Sequence, residues 1–265
     1  MHVPSSALRL LPCLLLLLLS PPARLSAAPA GSAAPVSLTV MVEDDAAPWS
    51  LGDGTGFANE VVTAAFAAAG VQVGLEVVPY ARCKNAVMQG RCAACFSMSW
   101  LPEFAGAVSF SARPLFTCSA DYFTGDKRPV KARTARGLPK GTVVGTVLGY
   151  EYPPSVYALR DQGVLVLEES RSEERLLKKL AAGRLDLALL NTNAVKSPQA
   201  LLLKAGVAGQ VHKAFAAGLL KSYLGFSLGQ AQGAWAKERF DRGYRAIASD
   251  GRLKAIEAKW RRVGP

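Results

Sequence analysis

A repeated spacing of glycines constrains the fold of this chain more than any other feature. The same two intervals, 14 and 20 residues, separate the glycines of two sets: Gly56, Gly70 and Gly90, and then Gly149, Gly163 and Gly183. Apolar periodicity between the glycines predicts a helix, a strand and a second helix in each set. With 24 glycines such intervals can arise by chance, but the order of elements matches as well. We therefore expect two similar α/β halves.

In both halves the second helix stops at a Gly-Arg pair, and a short apolar strand follows. The strand Cys92–Phe96 leads to Ser97, Ser99 and Trp100, and the strand at 185–190 leads to Asn191 and Thr192. Polar and aromatic groups at the carboxyl ends of parallel strands bind ligands in open α/β sheets. These five residues are therefore candidate ligand contacts. For the serines the alternative is a capped strand end, and Trp100 is either a stacking platform or a lid contact.

Two further strands are predicted to connect the halves. Leu115–Phe123 and Tyr223–Leu228 read as extended segments at the points where one half gives way to the other. We expect lobe 1 to comprise residues 35–117 plus 223–265, and lobe 2 to comprise residues 118–222. Alternating strands and helices predict a mostly parallel sheet, flanked by helices, in each lobe. One continuous sheet through both halves would argue against this division.

The N-terminus is typical of a secretory signal peptide. Arg9 precedes the apolar run Leu10–Leu19, and small residues follow up to a cleavage site at Ala28-Pro29-Ala30,. We therefore expect residues 1–30 to be removed and the protein to be periplasmic. The segment takes two of the 31 basic residues with it, so 29 basic and 20 acidic residues leave a net charge of +9. Since the basic residues are scattered, we favour a solvated basic surface over nucleic-acid binding.

Four cysteines follow the signal peptide: Cys83, Cys92, Cys95 and Cys118. An exported protein can join them in disulfides. Cys83 and Cys95 are predicted at similar heights, about 10 Å along a helix and about 10 Å along the strand that packs on it. We expect these two to pair. Cys92 and Cys95 are spaced like a redox dithiol, but their place on a strand argues against that chemistry. We expect no metal and no cofactor.

In its order of motifs the chain resembles the family 3 extracellular solute-binding proteins, the receptors for polar amino acids of ABC importers. The matching pieces are Pro48-Trp49-Ser50 with Gly56-Phe57, Val78-Pro79-Tyr80, Pro102-Glu103 with Phe110-Ser111, Gly145 and Gly149, Gly183 to Asp186, and Asp250-Gly251 with Ile256 and Trp260. The resemblance implies a two-lobed, periplasmic-binding-protein-like α/β fold of type II that closes on its ligand by hinge bending. It also implies a small-molecule ligand and importer membrane subunits as partners; we expect a monomer.

Two residues depart from the pattern that the resemblance implies. Phe104 stands where the family has an arginine that clamps the ligand's α-carboxylate, and Asn191 stands where it often has an aspartate for the α-ammonium. Arg82 is a candidate replacement for the clamp, with a surface salt bridge as the alternative. Because a buried charge without a partner is costly, we expect a small polar or anionic solute rather than an ordinary α-amino acid.

Four more residues are candidate ligand contacts, each with a structural alternative. Trp49 and Tyr80 are predicted to be aromatic walls of the cleft, or else core residues. Gly149 and Tyr150 precede a predicted helix whose N–H groups can hold an anion, or else form a tight turn. The competing function classes are an enzyme on the same fold, with Glu43, Glu60 or Glu151 as general acid, and a sensor or accessory module. Without a nucleophile motif we expect a binding protein and not an enzyme.

Overall fold

A computed structural model of the protein describes Met1–His2 and residues 36–263. The predicted signal peptide, residues 1–30, lies outside the described residues except for its first two. The strands of the described part are β1 (Val36–Glu43), β2 (Asp45–Ala46), β3 (Ser50–Leu51), β4 (Val71–Val78), β5 (Ala94–Ser99), β6 (Val108–Phe110), β7 (Phe116–Gly125), β8 (Thr142–Val147), β9 (Leu165–Ser170), β10 (Leu187–Thr192) and β11 (Val211–Ser227). The α-helices are α1 (Phe57–Ala68), α2 (Tyr80–Met88), α3 (Pro154–Asp161), α4 (Glu173–Ala181), α5 (Pro198–Lys204), α6 (Gly233–Ser249) and α7 (Arg252–Val263).

The two halves have the same topology, as the glycine spacing predicts. In the first, β1 lies between β4 and β5 and is parallel to both. In the second, β8 lies between β9 and β10 and is parallel to both. Helix α1 and strand β4 correspond to α3 and β9. At the ends of these helices Gly70 and Gly163 both have φ near +70°, the left-handed conformation that terminates a helix.

The hydrogen-bonded sheet is continuous through both halves, contrary to the expectation of two separate sheets. Strand β11 pairs with β7 up to Ser222 and with β5 from Ser222 onward, and β7 also pairs with β10. These two long strands therefore link the parallel strands of one half to those of the other. The chain from Pro35 onward forms one unit by its contacts, so the lobe boundaries stay a prediction. Below, the names lobe 1 and lobe 2 denote the predicted ranges.

Four apolar clusters cover the faces of the sheet. Two of them are built entirely from residues 118–222, around Leu176 on the α4 side and around Tyr122 and Leu189 on the α3 side. The other two lie mainly in the remaining residues, around Phe66 beneath α1 and α6, and around Cys83 beneath α2. Because both faces are covered, β10 is buried along its whole length, which is typical of a parallel strand between helix layers.

Strand β11 is one 17-residue element, where the sequence predicts the shorter strand Tyr223–Leu228. Its register shifts between Lys213 and Phe215 and again between Ala216 and Gly218. Such irregularities interrupt the alternation of inward and outward side chains. The alternation of apolar and polar residues is therefore interrupted at these positions, although the strand continues.

The predicted disulfide between Cys83 and Cys95 is confirmed. Their Cα atoms are 5.6 Å apart and the bond joins α2 to β5. Cys92 and Cys118 are free and buried. In the described residues no helix has the length and apolarity needed to cross a membrane, and no cluster of three metal-ligating side chains occurs among them.

Candidate functional site

The candidate site is a narrow cleft where the carboxyl ends of β1 and β5 face the turn after β8 and the end of β10. Its cavity has a volume of ≈ 20 Å³, roughly the space that one water molecule needs. The lining residues are Glu43, Trp49, Tyr80, Ser97, Ser99, Cys118, Tyr150, Glu151, Asn191 and Ser222. Side chains from both lobes therefore meet across the cleft and nearly fill it.

Glu151 reaches from lobe 2 into a set of hydrogen-bond donors on lobe 1. The Tyr80 hydroxyl lies 2.9 and 2.7 Å from its two carboxylate oxygens. The backbone N–H of Ser99 donates to Oε2 at 3.2 Å, and the Lys84 ammonium lies 3.4 Å from Oε1. Burial raises the pKa of Glu151, while Lys84 and the Tyr80 hydrogen bond act in the opposite direction. Glu151 is thus a buried acidic group with three donors around it.

A second carboxyl group crosses the cleft in the opposite direction. Glu43 ends β1 and accepts a short hydrogen bond from the Tyr150 hydroxyl. The Tyr150 ring meets the Tyr80 ring edge-on, with centroids 5.6 Å apart. Burial raises the pKa of Glu43 to about 8, against the opposing effects of the Tyr150 hydrogen bond and of Lys196. Near neutral pH this group is therefore largely protonated.

We expect this shift to appear in the pH dependence of stability. Because the pKa of Glu43 is about 8 in the folded protein and near 4.5 in the unfolded chain, the folded state binds the proton more tightly. The free energy of unfolding should therefore fall as the pH rises between these values, at up to about 1.4 kcal/mol per pH unit. Urea unfolding of wild type and of Glu43→Gln measures the difference. The variant should lose less stability over this range, and parallel profiles would contradict the assignment.

Trp49 is held from lobe 2 by two contacts. Its indole N–H donates to Asn193 Oδ1 at 3.2 Å, and the Lys196 ammonium lies 4.4 Å from the ring centroid. Lys196 is 1% exposed and forms a 2.6 Å ion pair with Glu173. Trp49 also packs on Phe116, with centroids 4.3 Å apart. Both predicted roles of Trp49 are therefore present, since the residue lines the cleft and belongs to the core.

Six of the ten predicted contacts are brought together: Trp49, Tyr80, Ser97, Ser99, Tyr150 and Asn191. Asn191 and Ser99 lie inside their strands and not beyond them. Thr192 is buried opposite Ser119 of β7 and does not line the cleft. Its position one residue after Asn191 turns its side chain to the other face of the sheet.

Three predicted contacts lie elsewhere. Arg82 is on the exposed face of α2, and Trp100 is 58% exposed at the edge of a wider groove. Gly149 does not hold an anion at a helix N-terminus, because α3 begins only at Pro154 and a proline has no N–H,. Gly149 instead has φ +84°, and a Cβ there would lie 3.1 Å from Ala81. Its role is close approach between the lobes.

Two charged side chains that were not predicted as ligand contacts, Lys84 and Glu151, meet beside the cleft. Phe104 is fully buried against Phe110 and does not reach the cleft. The sequence analysis did not select Lys84, and it named Glu151 only as a candidate general acid. The spacing offered a signal for Lys84, which follows Tyr80 by four residues and so shares its helix face.

A second, wider cavity of ≈ 1220 Å³ borders the cleft and shares Tyr150 with it. We call it the outer groove. Its lobe 1 wall is Lys84 and Trp100–Glu103, and its lobe 2 wall includes Tyr152, Tyr157 and Glu168. Most residues that line the cleft are buried, whereas the wall of the outer groove includes the exposed Trp100 and Glu103.

Comparisons with known proteins give the family and the fold. The family model of the bacterial extracellular solute-binding proteins, family 3, matches residues 38–263, and no curated protein matches the chain. A histidine kinase sensor domain with similarity to periplasmic binding proteins is 19% identical, with a TM-score of 0.70 over 84% of this chain and 95% of that chain. An ancestral arginine-binding protein bound to arginine is 18% identical, with a TM-score of 0.69 over 84% of this chain and 97% of that chain.

An ancestral amino acid-binding protein, a precursor of cyclohexadienyl dehydratase, is 17% identical, with a TM-score of 0.65 over 84% of this chain and 95% of that chain. At these identities the likeness shows the two-lobed fold and leaves the ligand open. The family match extends over nearly all of the described residues, from β1 to α7. This chain therefore belongs to family 3 of the bacterial extracellular solute-binding proteins.

Proposed function

We propose that the protein is a periplasmic solute-binding protein that captures a small polar solute between its lobes and delivers it to an ABC importer. The observation that carries the proposal is Asn191. This side chain is buried in the cleft, and its Oδ1 has no hydrogen-bond partner within the described part of the chain. A buried acceptor without a donor is rare in proteins, so a ligand donor is its natural partner.

The surrounding side chains suit a small polar molecule. Trp49, Tyr80 and Tyr150 supply aromatic surface, and Ser97 and Ser222 supply hydroxyl groups at the cavity wall. A few fixed polar groups among aromatic walls are typical of small-molecule sites. A solute needs more room than ≈ 20 Å³, so we infer that the lobes separate to admit it and that the tyrosine–carboxyl contacts break as they do.

The ligand class follows from the charges at the cleft. The Lys84 ammonium offers a partner for an anionic group, while Asn191 and the protonated Glu43 offer neutral polar contacts. We therefore keep a small polar or anionic solute as the proposed ligand. An ordinary α-amino acid should bind weakly, because its α-ammonium would meet the neutral Asn191 in a buried cleft, and a buried charge without a partner is costly.

A ligand screen tests the proposal. We expect one small polar or anionic solute to raise the melting temperature of the ligand-free protein, with saturation by calorimetry; at 100 times its Kd it adds about 2.7 kcal/mol. Asn191→Ala should weaken this binding at least tenfold, since it removes the unpaired acceptor. The matched control is Trp100→Ala, an exposed residue outside the cleft, which should leave binding unchanged. A micromolar standard amino acid as the best ligand would contradict the proposed ligand class.

An enzyme on the same fold is a second candidate, and the raised pKa of Glu43 favours it. A carboxyl group with a pKa of about 8 carries a proton near neutral pH and can serve as a general acid. Glu60 is not suited to this role, because it binds Lys259 and Trp260 on the outside of lobe 1. If a solute found in the screen is turned over by wild type and not by Glu43→Gln, the enzyme is favoured. If the solute is bound without turnover, the receptor is favoured.

A further inference from the structure

Three hydrogen-bond donors of lobe 1 surround the Glu151 carboxyl group, and they come from three different residues. The Tyr80 hydroxyl and the Lys84 ammonium come from successive turns of α2, and the Ser99 N–H comes from the last residue of β5. Tyr80 contacts both oxygens of the acceptor, Ser99 contacts one, and Lys84 lies beside the other. A planar carboxylate matches this arrangement, since charge-assisted bonds to its two oxygens are the strong ones.

This carboxyl group belongs to lobe 2. Glu151 follows the turn at Gly149, where the chain passes so close to Ala81 of α2 that a Cβ has little space. The side chain of Glu151 is 3% exposed. A carboxyl group of one lobe is therefore fully seated among donors of the other lobe.

The donor set is fixed independently of Glu151. The disulfide from Cys83 to Cys95 joins α2 to β5, and Cys83 lies between Tyr80 and Lys84 in the sequence. The three donors therefore keep their relative positions when the lobes separate. A site that is rigid before it binds loses little free energy on ordering.

We propose that Tyr80, Lys84 and the Ser99 N–H form a carboxylate-binding site that Glu151 occupies as a built-in ligand. This inference rests on the proposed function. It assigns the part of the cleft around Glu151 to a carboxylate and leaves the part around Asn191 to the rest of the solute. Glu151 holds the lobes together without a solute, and a solute carboxylate binds to lobe 1 by displacing it. Because an intramolecular group acts at an effective concentration of about millimolar or more, the apparent affinity of a free carboxylate is lowered by the competition.

The test uses acetate as a free carboxylate and Glu151→Ala to empty the site. Melting temperature is measured against acetate concentration, with chloride keeping the ionic strength constant. We expect acetate to raise the melting temperature of Glu151→Ala in a saturable way and to leave that of wild type unchanged. The response should vanish in Glu151→Ala with Lys84→Met. Glu103→Ala is the matched control, because Glu103 is the exposed carboxylate near Lys84, at 3.6 Å, and its removal should leave the wild-type behaviour.

A second readout is the radius of gyration of the solute-free protein by X-ray scattering. It should be larger in Glu151→Ala than in wild type or Glu103→Ala. If Glu151→Ala does not fold, Glu151→Gln replaces it and should respond to acetate more than wild type, because a neutral amide competes less. Acetate responses equal to that of wild type in the folded variant overturn the inference.

The outcomes separate this inference from the function on which it rests. If wild type binds a solute from the screen but the Glu151 variants do not respond to acetate, the built-in ligand is rejected and the solute-binding function is supported. If Glu151→Ala responds to acetate but wild type binds no solute, the carboxylate site is supported and the solute-binding function is rejected.

Discussion

Replacing Lys196 with Met is expected to lower the free energy of unfolding by about 3–5 kcal/mol. Lys196 is 1% exposed and its ion pair with Glu173 is buried. The Met side chain keeps the apolar stem but leaves the Glu173 carboxylate buried without its cation. Glu173 Oε1 has no hydrogen-bond partner among the described residues, so nothing else on that oxygen compensates. The contact of the ammonium with the Trp49 ring is lost as well.

Urea unfolding of a matched pair of variants measures this effect. Lys178→Met is the control, because Lys178 pairs with Glu174 on the exposed surface of α4 and such pairs contribute about 0–1 kcal/mol. The double variant Lys196→Met with Glu173→Leu should be more stable than Lys196→Met alone, since it removes the orphaned charge. Equal effects at the buried and the exposed lysine would show that the pair is not essential to the core.

Removing the disulfide by Cys83→Ala with Cys95→Ala should cost about 2–5 kcal/mol. The bond closes a loop across a sequence separation of 12 residues, and its loss gives the unfolded chain more conformational entropy. Both residues are fully buried, so the loss of packing adds to the effect. The urea midpoint of the variant against wild type is the measurement.

The control for this prediction is Cys92→Ala, which removes a buried but free cysteine. It should destabilise far less than the double variant. A double variant as stable as Cys92→Ala would mean that α2 and β5 are held by packing alone, and the rigidity of the Tyr80, Lys84 and Ser99 donor set would then need another cause.

The fold could be predicted from the sequence because its signals are local. Gly70 and Gly163 end helices in the left-handed conformation, and such glycines mark element boundaries in any α/β half. The matching order of elements then gives the topology of both halves. The continuous sheet could not be predicted, because it depends on how β11 pairs on either side of Ser222, and long-range pairing leaves no local mark in the sequence.

The site was predictable only within each lobe. Ser99 is the last residue of β5 and Asn191 the last but one of β10, so the α/β pattern points to them. The partners Glu151 and Lys84 meet across the cleft, and their meeting depends on the relative position of the lobes. Arg82 and Lys84 lie on one helix, but only Lys84 shares the face of Tyr80. The sequence analysis therefore named the helix that meets Glu151 but not the residue on it that does.

The most direct test of the central claim is to locate the solute that the protein binds. A crystal structure of the complex with the best solute of the screen should place it between the lobes, with a donor group on Asn191 Oδ1 and the Glu151 carboxyl group moved away from Tyr80 and Lys84. A solute bound in the outer groove beside Trp100, with the Tyr80–Glu151 and Tyr150–Glu43 contacts intact, would contradict the account.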